Sequence, residues 1–249
     1  MNTIEITKIP TLDYATSEAI NTLGINVTFS GEGIRRIMVT SCREHEGKSF
    51  TSFQLAKKLS EMNYSVLLVD ADLRRSVLNE RMGVHFPRGS MGLTHLLTKD
   101  ITLNDVVYQT NLRKLYFLPI GHSVINSIVL LNSPRFSAIM DQFKETFDYV
   151  IVDTPPIGAI VDAAAVARCC DGALLVFTPN LIDQRELLAA KEQIDKTGCP
   201  LLGGVMNKME MKKSSSRYYY RSKYAAYRNK YYYRTRDSES TETDKKDNT

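Results

Sequence analysis

The segment that decides the fold reads Ile37-Met38-Val39-Thr40, followed by Ser41-Cys42-Arg43-Glu44-His45-Glu46-Gly47-Lys48-Ser49. The first four residues form an apolar run typical of a buried strand, and helical spacing begins at Ser49. Gly-Lys-Ser at a strand–loop–helix junction is typical of the end of a Walker A phosphate-binding loop. Glycine lets backbone N–H groups approach phosphate, and the helix N-terminus adds positive potential. We therefore predict that Lys48 contacts the β- and γ-phosphates of a nucleotide and that Ser49 binds Mg²⁺.

The nucleotide-binding residues predicted from this loop are Glu46, Gly47, Lys48, Ser49 and Phe50. Phe50 stands where a hydroxyl residue is common, but its backbone N–H is still expected to reach the α-phosphate. The first glycine of the usual pattern is Cys42 here. We expect Cys42 to fill a small-residue position, with an oxidisable site as the alternative.

Two further apolar runs end in carboxylates. One is Leu67–Arg74, which reads LLVDADLR, and the other is Val150–Pro156, which reads VIVDTPP. Ligands of open parallel sheets bind outside the carboxyl ends of the strands. We therefore predict that Asp70, Asp72 and Asp153 lie on the same sheet edge as the loop, where carboxylates suit Mg²⁺.

Short, nearly continuous runs of Val, Ile and Leu are typical of strands buried on both faces of a parallel sheet. We predict such strands at Ile37–Thr40, Val66–Val69, Leu115–Pro119, Tyr149–Val152, Ala173–Phe177 and Leu201–Val205. Helical spacing predicts helices at Thr16–Val27 (beginning at Thr16 or Ser17), Ser49–Met62, Ser133–Phe147 and Gln184–Lys196. This alternation predicts an α/β fold with a mostly parallel sheet and helices on both faces.

The chain divides by composition near Met211. Residues 1–211 are predicted to form the nucleotide-binding domain, and residues 212–249 a disordered, tyrosine-rich tail. The tail carries eleven Lys/Arg and five Asp/Glu, a net charge of +6, which leaves −2 of the overall +4 for residues 1–211. The slightly acidic body therefore gives no nucleic-acid signal. No apolar run approaches the roughly 20 residues of a membrane helix, and Met1–Lys8 is no signal peptide, so we expect a cytoplasmic protein.

These motifs resemble the bacterial tyrosine kinases of capsule and exopolysaccharide synthesis (BY-kinases of the CpsD/EpsD type), which are similar to the MinD/ParA-like P-loop ATPases. LLVDADLR resembles the additional Walker A′ motif of the kinases, and VIVDTPP resembles their Walker B motif. The resemblance implies a protein-tyrosine kinase that uses ATP and Mg²⁺. The end-of-strand pair Asn207-Lys208 resembles the position that contacts adenine in this superfamily, so Asn207 is the candidate for the base.

The chemistry of phosphoryl transfer, which needs positioning and charge neutralisation, predicts roles for these side chains, with the division between Asp70 and Asp72 left open. Lys48, Asp70 and Asp72 are the candidate catalytic residues, with Asp72 orienting the incoming tyrosine hydroxyl. Ser49, Asp70 and Asp153 are the candidates for holding Mg²⁺ directly or through water. The predicted phosphoacceptors are eight of the thirteen tyrosines of the chain, namely Tyr218, Tyr219, Tyr220, Tyr224, Tyr227, Tyr231, Tyr232 and Tyr233.

The partners that the resemblance implies are a membrane-anchored activator (the polysaccharide co-polymerase), further copies of the chain and a cognate tyrosine phosphatase. The activator would hold the protein at the inner face of the membrane. Many members carry two arginines in an early helix that contact a neighbouring subunit, but Asn21 and Gly24 stand there in this chain. That difference leaves the family's ring-shaped oligomer open.

Two readings from other classes stay open at this point. A partitioning or placement ATPase of the MinD/ParA kind would use the same loop, although Arg43 replaces the signature lysine of those proteins. Arginines interleaved with tyrosines also suit stacking on single-stranded nucleic acid, although we expect no nucleic-acid partner. A solvated linker is the remaining interpretation of the tail.

Overall fold

The computed structural model describes residues 2–209. Residues 212–249, with the eight predicted phosphoacceptor tyrosines, lie outside the described residues, so the domain division at residue 211 stays a prediction. Within residues 2–209 the chain forms eight strands: β1 (Asn2–Ile4), β2 (Arg36–Ser41), β3 (Val66–Asp70), β4 (Tyr108–Thr110), β5 (Leu115–Leu118), β6 (Tyr149–Asp153), β7 (Gly172–Phe177) and β8 (Leu201–Met206).

Nine helices occupy the same described range. They are α1 (Tyr14–Thr28), α2 (Lys48–Glu61), α3 (Leu78–Met82), α4 (Leu93–Thr98), α5 (Leu103–Val106), α6 (Ser127–Leu131), α7 (Pro134–Thr146), α8 (Asp162–Ala167) and α9 (Gln184–Lys196). All six predicted strands and all four predicted helices are present, which confirms the α/β fold. No helix of residues 2–209 is both long enough and apolar enough to cross a bilayer.

The strands form one sheet in the order β1-β4-β5-β3-β6-β2-β7-β8. Every pair is parallel except β4 with β5. The three strands predicted to end at the site, β3, β6 and β2, are neighbours at the centre of the sheet, which confirms that their carboxyl ends share one edge. Strands β1 and β4 were not predicted, because three residues are too few to establish a period.

The sheet separates two apolar cores because alternate residues of each central strand point to opposite faces. Met38 faces one core, with α4, α6, α7, α8 and α9 packed over it. Ile37 and Val39 face the other, which α1, α2 and α3 cover. The prediction of burial on both faces is wrong for β8, whose residues are half-buried or exposed because this strand forms one edge of the sheet.

Helix α1 begins earlier than predicted because Asp13, rather than Thr16 or Ser17, caps it. Asp13 Oδ1 accepts a hydrogen bond of 2.7 Å from Thr16 N, which satisfies a free amide of the first turn. Gly24 faces α2, where a Cβ atom would lie 2.9 Å from Lys58 Cγ. A side chain at position 24 would therefore require Lys58 to move, whereas Asn21 contacts Glu18 within its own helix.

Candidate active site

The phosphate loop joins β2 to α2, and Gly47 makes the turn between them. Gly47 caps the helix in the left-handed conformation at φ 96°, which is costly for any residue with a Cβ. The first two residues of α2 are Lys48 and Ser49, so both side chains stand at the end of the helix where free N–H groups attract anions. The local geometry is therefore that of a phosphate cradle.

Two side chains from outside the helix fix this loop. Glu46 is fully buried, and its carboxylate accepts hydrogen bonds from Arg43 N at 2.7 Å and Thr178 N at 3.1 Å. Asn207 Nδ2 donates to the carbonyl of Glu46 at 2.9 Å, which ties the end of β8 to the loop. The side chain and the carbonyl of Glu46 are thus engaged within the protein, and its backbone N–H is the group predicted to bind nucleotide.

Asn207, the candidate for contacting the adenine base, contacts the phosphate loop in this structure. Its side chain lies against Gly47, where a Cβ atom would overlap Asn207 Nδ2. The neighbouring Lys208 Nζ donates to the carbonyl of His45 at 2.6 Å, a second link from the end of β8 to the loop. Both contacts support a role in holding the phosphate loop, and the contact of Asn207 with adenine stays a prediction.

Asp70 and Asp153 are opposite each other at the ends of β3 and β6, and both are buried. Burial, with the nearby charge of Asp153, raises the pKa of Asp70 well above its usual range. Burial also raises the pKa of Asp153, against the opposing effect of Lys48. Ser76 Oγ donates to Asp70, and Ser52 Oγ lies 3.0 Å from Asp153 Oδ1. The repulsion between these two buried carboxylates is relieved by a proton or by a nearby cation.

Lys48 connects the phosphate loop to the second carboxylate of the LLVDADLR segment. Its Nζ lies 3.3 Å from Asp72 Oδ2, and both side chains are largely buried. Burial disfavours the Lys48 ammonium, but the charges of Asp153, Asp72 and Asp70 outweigh it and raise its pKa. Lys48 is therefore a fixed cation, and Asp72 is in direct contact with it. The three predicted catalytic residues, Lys48, Asp70 and Asp72, do come together.

The residues present fit a magnesium ion bound together with phosphate. In residues 2–209 no three His, Cys, Asp or Glu side chains are placed to hold a metal by themselves. Mg²⁺ rarely uses such a cage and keeps waters and substrate phosphates among its ligands. The buried Ser49 hydroxyl next to the Asp70–Asp153 pair supplies the oxygen ligands that such an ion needs.

A cavity of about 490 Å³ opens over the loop. Its lining includes Lys48, Ser49 and Asp72 from the predicted set, and also Arg75 and Arg81. This volume is in the range of small-molecule sites. Neither arginine was predicted from the sequence, although Arg75 directly follows LLVDADLR and could have been found from that adjacency.

The buried carboxylate of Asp162 binds Arg74, the last residue of LLVDADLR. Asp162, the first residue of α8, is fully buried and accepts hydrogen bonds from Arg74 Nε at 2.8 Å and Arg74 Nη2 at 3.2 Å. Ser127 Oγ donates to the same carboxylate. Because Arg74 follows Asp72 by two residues, this network fixes the backbone beyond Asp72. The sequence analysis did not single out Asp162.

Cys42 occupies the position of the usual first glycine and is buried. Burial, with the charges of Glu46 and Glu186, raises the pKa of its thiol to about 12. Its carbonyl faces Gly158, where a Cβ atom would lie 2.6 Å from the Cys42 oxygen. These observations support the packing interpretation of Cys42 over a reactive thiol.

Comparison with known proteins gives one matching domain family and several similar chains. Residues 35–180 match the AAA domain family. The chain is 39% identical over 195 residues to the tyrosine-protein kinase CpsD of Streptococcus agalactiae serotype III, covering 78% of this chain and 83% of that protein. It is 34% identical over 213 residues to the tyrosine-protein kinase CpsD of Streptococcus pneumoniae serotype 4, covering 82% and 92% respectively.

Solved structures agree with these sequence relatives. The chimerical protein CapA2B2 superposes with a TM-score of 0.75 at 26% identity, covering 85% of this chain and 95% of that one. The septum site-determining protein MinD of Pyrococcus horikoshii, complexed with Mg-ADP, superposes with a TM-score of 0.61 at 23% identity, covering 74% and 76%. The second likeness shows a shared fold and nothing further.

Proposed function

The chain belongs to the family of bacterial tyrosine-protein kinases, and from that premise we propose that it phosphorylates the tyrosines of its own residues 218–233. We further propose that this autophosphorylation regulates the synthesis and export of a capsular or extracellular polysaccharide. The observation that carries the proposal is the contact between Lys48 of the phosphate loop and Asp72 at the cavity. It joins a phosphate-binding cation to a carboxylate suited to a tyrosine hydroxyl.

The nucleotide is ATP in this proposal. The loop from Glu46 to Phe50 takes its phosphates at the N-terminus of α2, and Lys48 balances charge on the γ-phosphate. Asn207 keeps Glu46 and Gly47 in place through its hydrogen bond at 2.9 Å. Ser49, Asp70 and Asp153 would hold Mg²⁺, which would supply positive charge to offset the negative charge of the phosphates.

Asp72 is the residue proposed to act on the acceptor. The tyrosine oxygen forms a bond to the γ-phosphorus while the bond from that phosphorus to the bridging oxygen breaks, so ADP leaves with the bridging oxygen. A tyrosine hydroxyl has a pKa of about 10, so its proton must be removed, and Asp72 accepts it. The amide of Arg75 donates to Asp72 Oδ1 at 3.1 Å, which fixes the carboxylate for this role.

The tail sequence supports the choice of acceptor. Eight of the thirteen tyrosines lie from Tyr218 to Tyr233, within the tail of residues 212–249, whose net charge is +6. Eight phosphotyrosines would add roughly −12 to −16 charges and reverse the sign of the tail. We propose that the unmodified tail favours self-association with the slightly acidic body of a neighbouring copy, and that phosphorylation weakens it.

The proposal includes partners that the family resemblance implies. A membrane-anchored activator, the polysaccharide co-polymerase, would complete the active state and hold the chain at the inner face of the membrane. A cognate tyrosine phosphatase would reverse the modification.

Mass spectrometry of the purified full chain after incubation with Mg-ATP tests the proposal. We expect multiple additions of ~80 Da within residues 218–233 in the wild type and none in Lys48→Met. Lys99→Met, an exposed lysine outside the cavity, is the matched control and should behave as the wild type. Tyr14, which is 73% exposed on α1, is an internal control that should remain unmodified.

Two other outcomes would count against tyrosine transfer through the phosphate loop. Additions in Lys48→Met would contradict transfer through this loop. No additions in the wild type, with Mg-ATP binding intact, would call for a repeat with the cytoplasmic segment of a candidate activator. Continued failure there would favour the placement ATPase.

A further inference from the structure

The cavity over the phosphate loop holds two cations that the transfer reaction does not use. Arg75 and Arg81 line the same cavity as Lys48, Ser49 and Asp72. The guanidinium of Arg75 has one ion pair, at 3.5 Å to Glu44, and both of these side chains are largely exposed. Within residues 2–209 no hydrogen bond or ion pair involves the guanidinium of Arg81. Both groups are therefore available to a ligand.

The backbones that carry these arginines are well fixed. The amide of Arg75 donates to Asp72 Oδ1 at 3.1 Å, so Arg75 is attached to the carboxylate of the transfer site. Arg81 lies on the short helix α3, which is anchored by the fully buried Leu78 and Met82. The two arginines thus line the same cavity from separate, anchored segments.

The charge of the ligand follows from these groups. Two guanidinium groups suit a dianionic phosphate, which each can bind through paired N–H donors. They would repel the unmodified tail, whose net charge is +6. The proposed reaction generates two anions at this cavity, ADP and phosphotyrosine, and in the proposed function the phosphate loop already takes the nucleotide.

We propose that Arg75 and Arg81 form a phosphotyrosine subsite beside the transfer site, which holds a tail tyrosine already phosphorylated while a nearby tyrosine enters. This inference rests on the proposed autophosphorylation and names the substrate form that the enzyme prefers. Because each new phosphotyrosine would hold the tail while the next tyrosine enters, neighbouring tail tyrosines would be phosphorylated one after another.

The tail sequence suits such a subsite. Its tyrosines include two triplets, Tyr218–Tyr220 and Tyr231–Tyr233. In an extended chain, residues i and i+2 point to the same side roughly 6.5–7 Å apart. A phosphotyrosine at the first position of a triplet would therefore present the third position to the same cavity.

Binding of synthetic tail peptides to the full chain tests the subsite without catalysis. Two peptides of residues 214–222 carry phenylalanine at position 219 and either phosphotyrosine or phenylalanine at position 218. We expect the phosphopeptide to bind the wild type about tenfold more tightly, as charge-assisted hydrogen bonds imply. Arg75→Gln/Arg81→Gln should abolish this preference, Arg75→Lys/Arg81→Lys should retain part of it, and Arg88→Gln, an exposed arginine outside the cavity, should leave it unchanged.

Transfer of phosphate to Tyr220 of the same peptides, followed by mass spectrometry, forms the second arm. We expect a higher kcat/KM for the phosphopeptide in the wild type and equal values in the double glutamine variant. Equal binding of the two peptides to the wild type, or a preference that survives in the double variant, would overturn the subsite. An equal loss of Mg-ATP affinity and of transfer to both peptides would also overturn it, because the arginines would then serve the nucleotide.

The two arms separate this inference from the proposed function. Tail phosphorylation without any preference for the phosphopeptide would refute the subsite and leave autophosphorylation standing. A preference in binding without transfer to any tyrosine would support the subsite and count against autophosphorylation.

Discussion

Replacing Gly47 by alanine tests how the phosphate loop is held in its shape. Gly47 has φ 96°, and a left-handed conformation costs an L-residue about 1–2 kcal/mol. The new Cβ would also displace the side chain of Asn207 and break its 2.9 Å hydrogen bond to Glu46 O, which contributes about 1–1.5 kcal/mol. We therefore expect Gly47→Ala to lower the free energy of unfolding by about 2–3.5 kcal/mol.

The two contributions can be separated by a double-mutant cycle. In an Asn207→Ala background the hydrogen bond is already lost, so Gly47→Ala should cost only the backbone part, about 1–2 kcal/mol. The chain contains no tryptophan, so urea unfolding of the full chain is best followed by far-ultraviolet circular dichroism. Binding of Mg-ADP, measured in parallel, should be weaker in both Gly47→Ala proteins.

A second glycine provides the matched control. Gly89 also has a positive φ, of 81°, but a Cβ there would meet open space. Gly89→Ala should lower the free energy of unfolding by the same amount in the wild-type and Asn207→Ala backgrounds. If Gly47→Ala also cost the same in both backgrounds, Asn207 would not be coupled to the loop and the account of its role would be refuted.

The remaining predictions concern three acids. Asp72→Asn should lower the rate of tyrosine phosphorylation by about 100-fold or more at unchanged Mg-ATP affinity, and an unchanged rate would exclude Asp72 as the base. Burial alone would raise the pKa of Asp171, but hydrogen bonds from Arg36 and other groups lower it to about 2. The ionised carboxylate therefore stabilises the fold at pH values above its unfolded pKa of 3.8. This stabilisation is lost as the pH falls through about 2. Asp171→Asn should therefore cost about 2 kcal/mol in urea unfolding at pH 7 and almost nothing near pH 2, and a pH-independent cost would contradict this. Asp162→Ala should cost about 1–3 kcal/mol, because it removes the buried acceptor of Ser127 and of the partly exposed Arg74, and a cost below about 0.5 kcal/mol would argue against the network.

The fold could be predicted largely from short apolar runs. Strands β2, β3, β6 and β7 are buried on both faces, which is why their continuous runs of Val, Ile and Leu were informative. The parallel pairing of Asn2–Ile4 with Tyr108–Thr110 joins residues about a hundred positions apart and has no local signal. Edge strand β8 resembles the central strands in composition, so its exposure could not be predicted either.

The candidate site could be predicted where a motif fixes the local geometry. Asp70 and Asp153 end β3 and β6, Asp72 follows β3, and the loop after β2 leads to Lys48, so these residues come together because β3, β6 and β2 are neighbours in the sheet. Arg81 reaches the cavity only through the packing of α3, and the sequence has no periodic feature that places it there. Asn207 was predicted from an end-of-strand pattern, but its contact with the loop depends on the register of β7 with β8.

The buried cysteine in the phosphate loop has a consequence for chemical inhibition. With a pKa of about 12, on the order of one Cys42 thiol in 10⁵ is ionised at pH 7, and only the thiolate reacts with electrophiles. Iodoacetamide or an acrylamide-bearing ATP analogue should therefore leave the loop intact for long exposures, and hydrogen peroxide should do the same. Lys48 offers no alternative nucleophile, because the charges of Asp153, Asp72 and Asp70 keep its amine protonated. Inhibitors of this nucleotide site should therefore act by reversible binding, with Cys42 contributing only a buried packing surface.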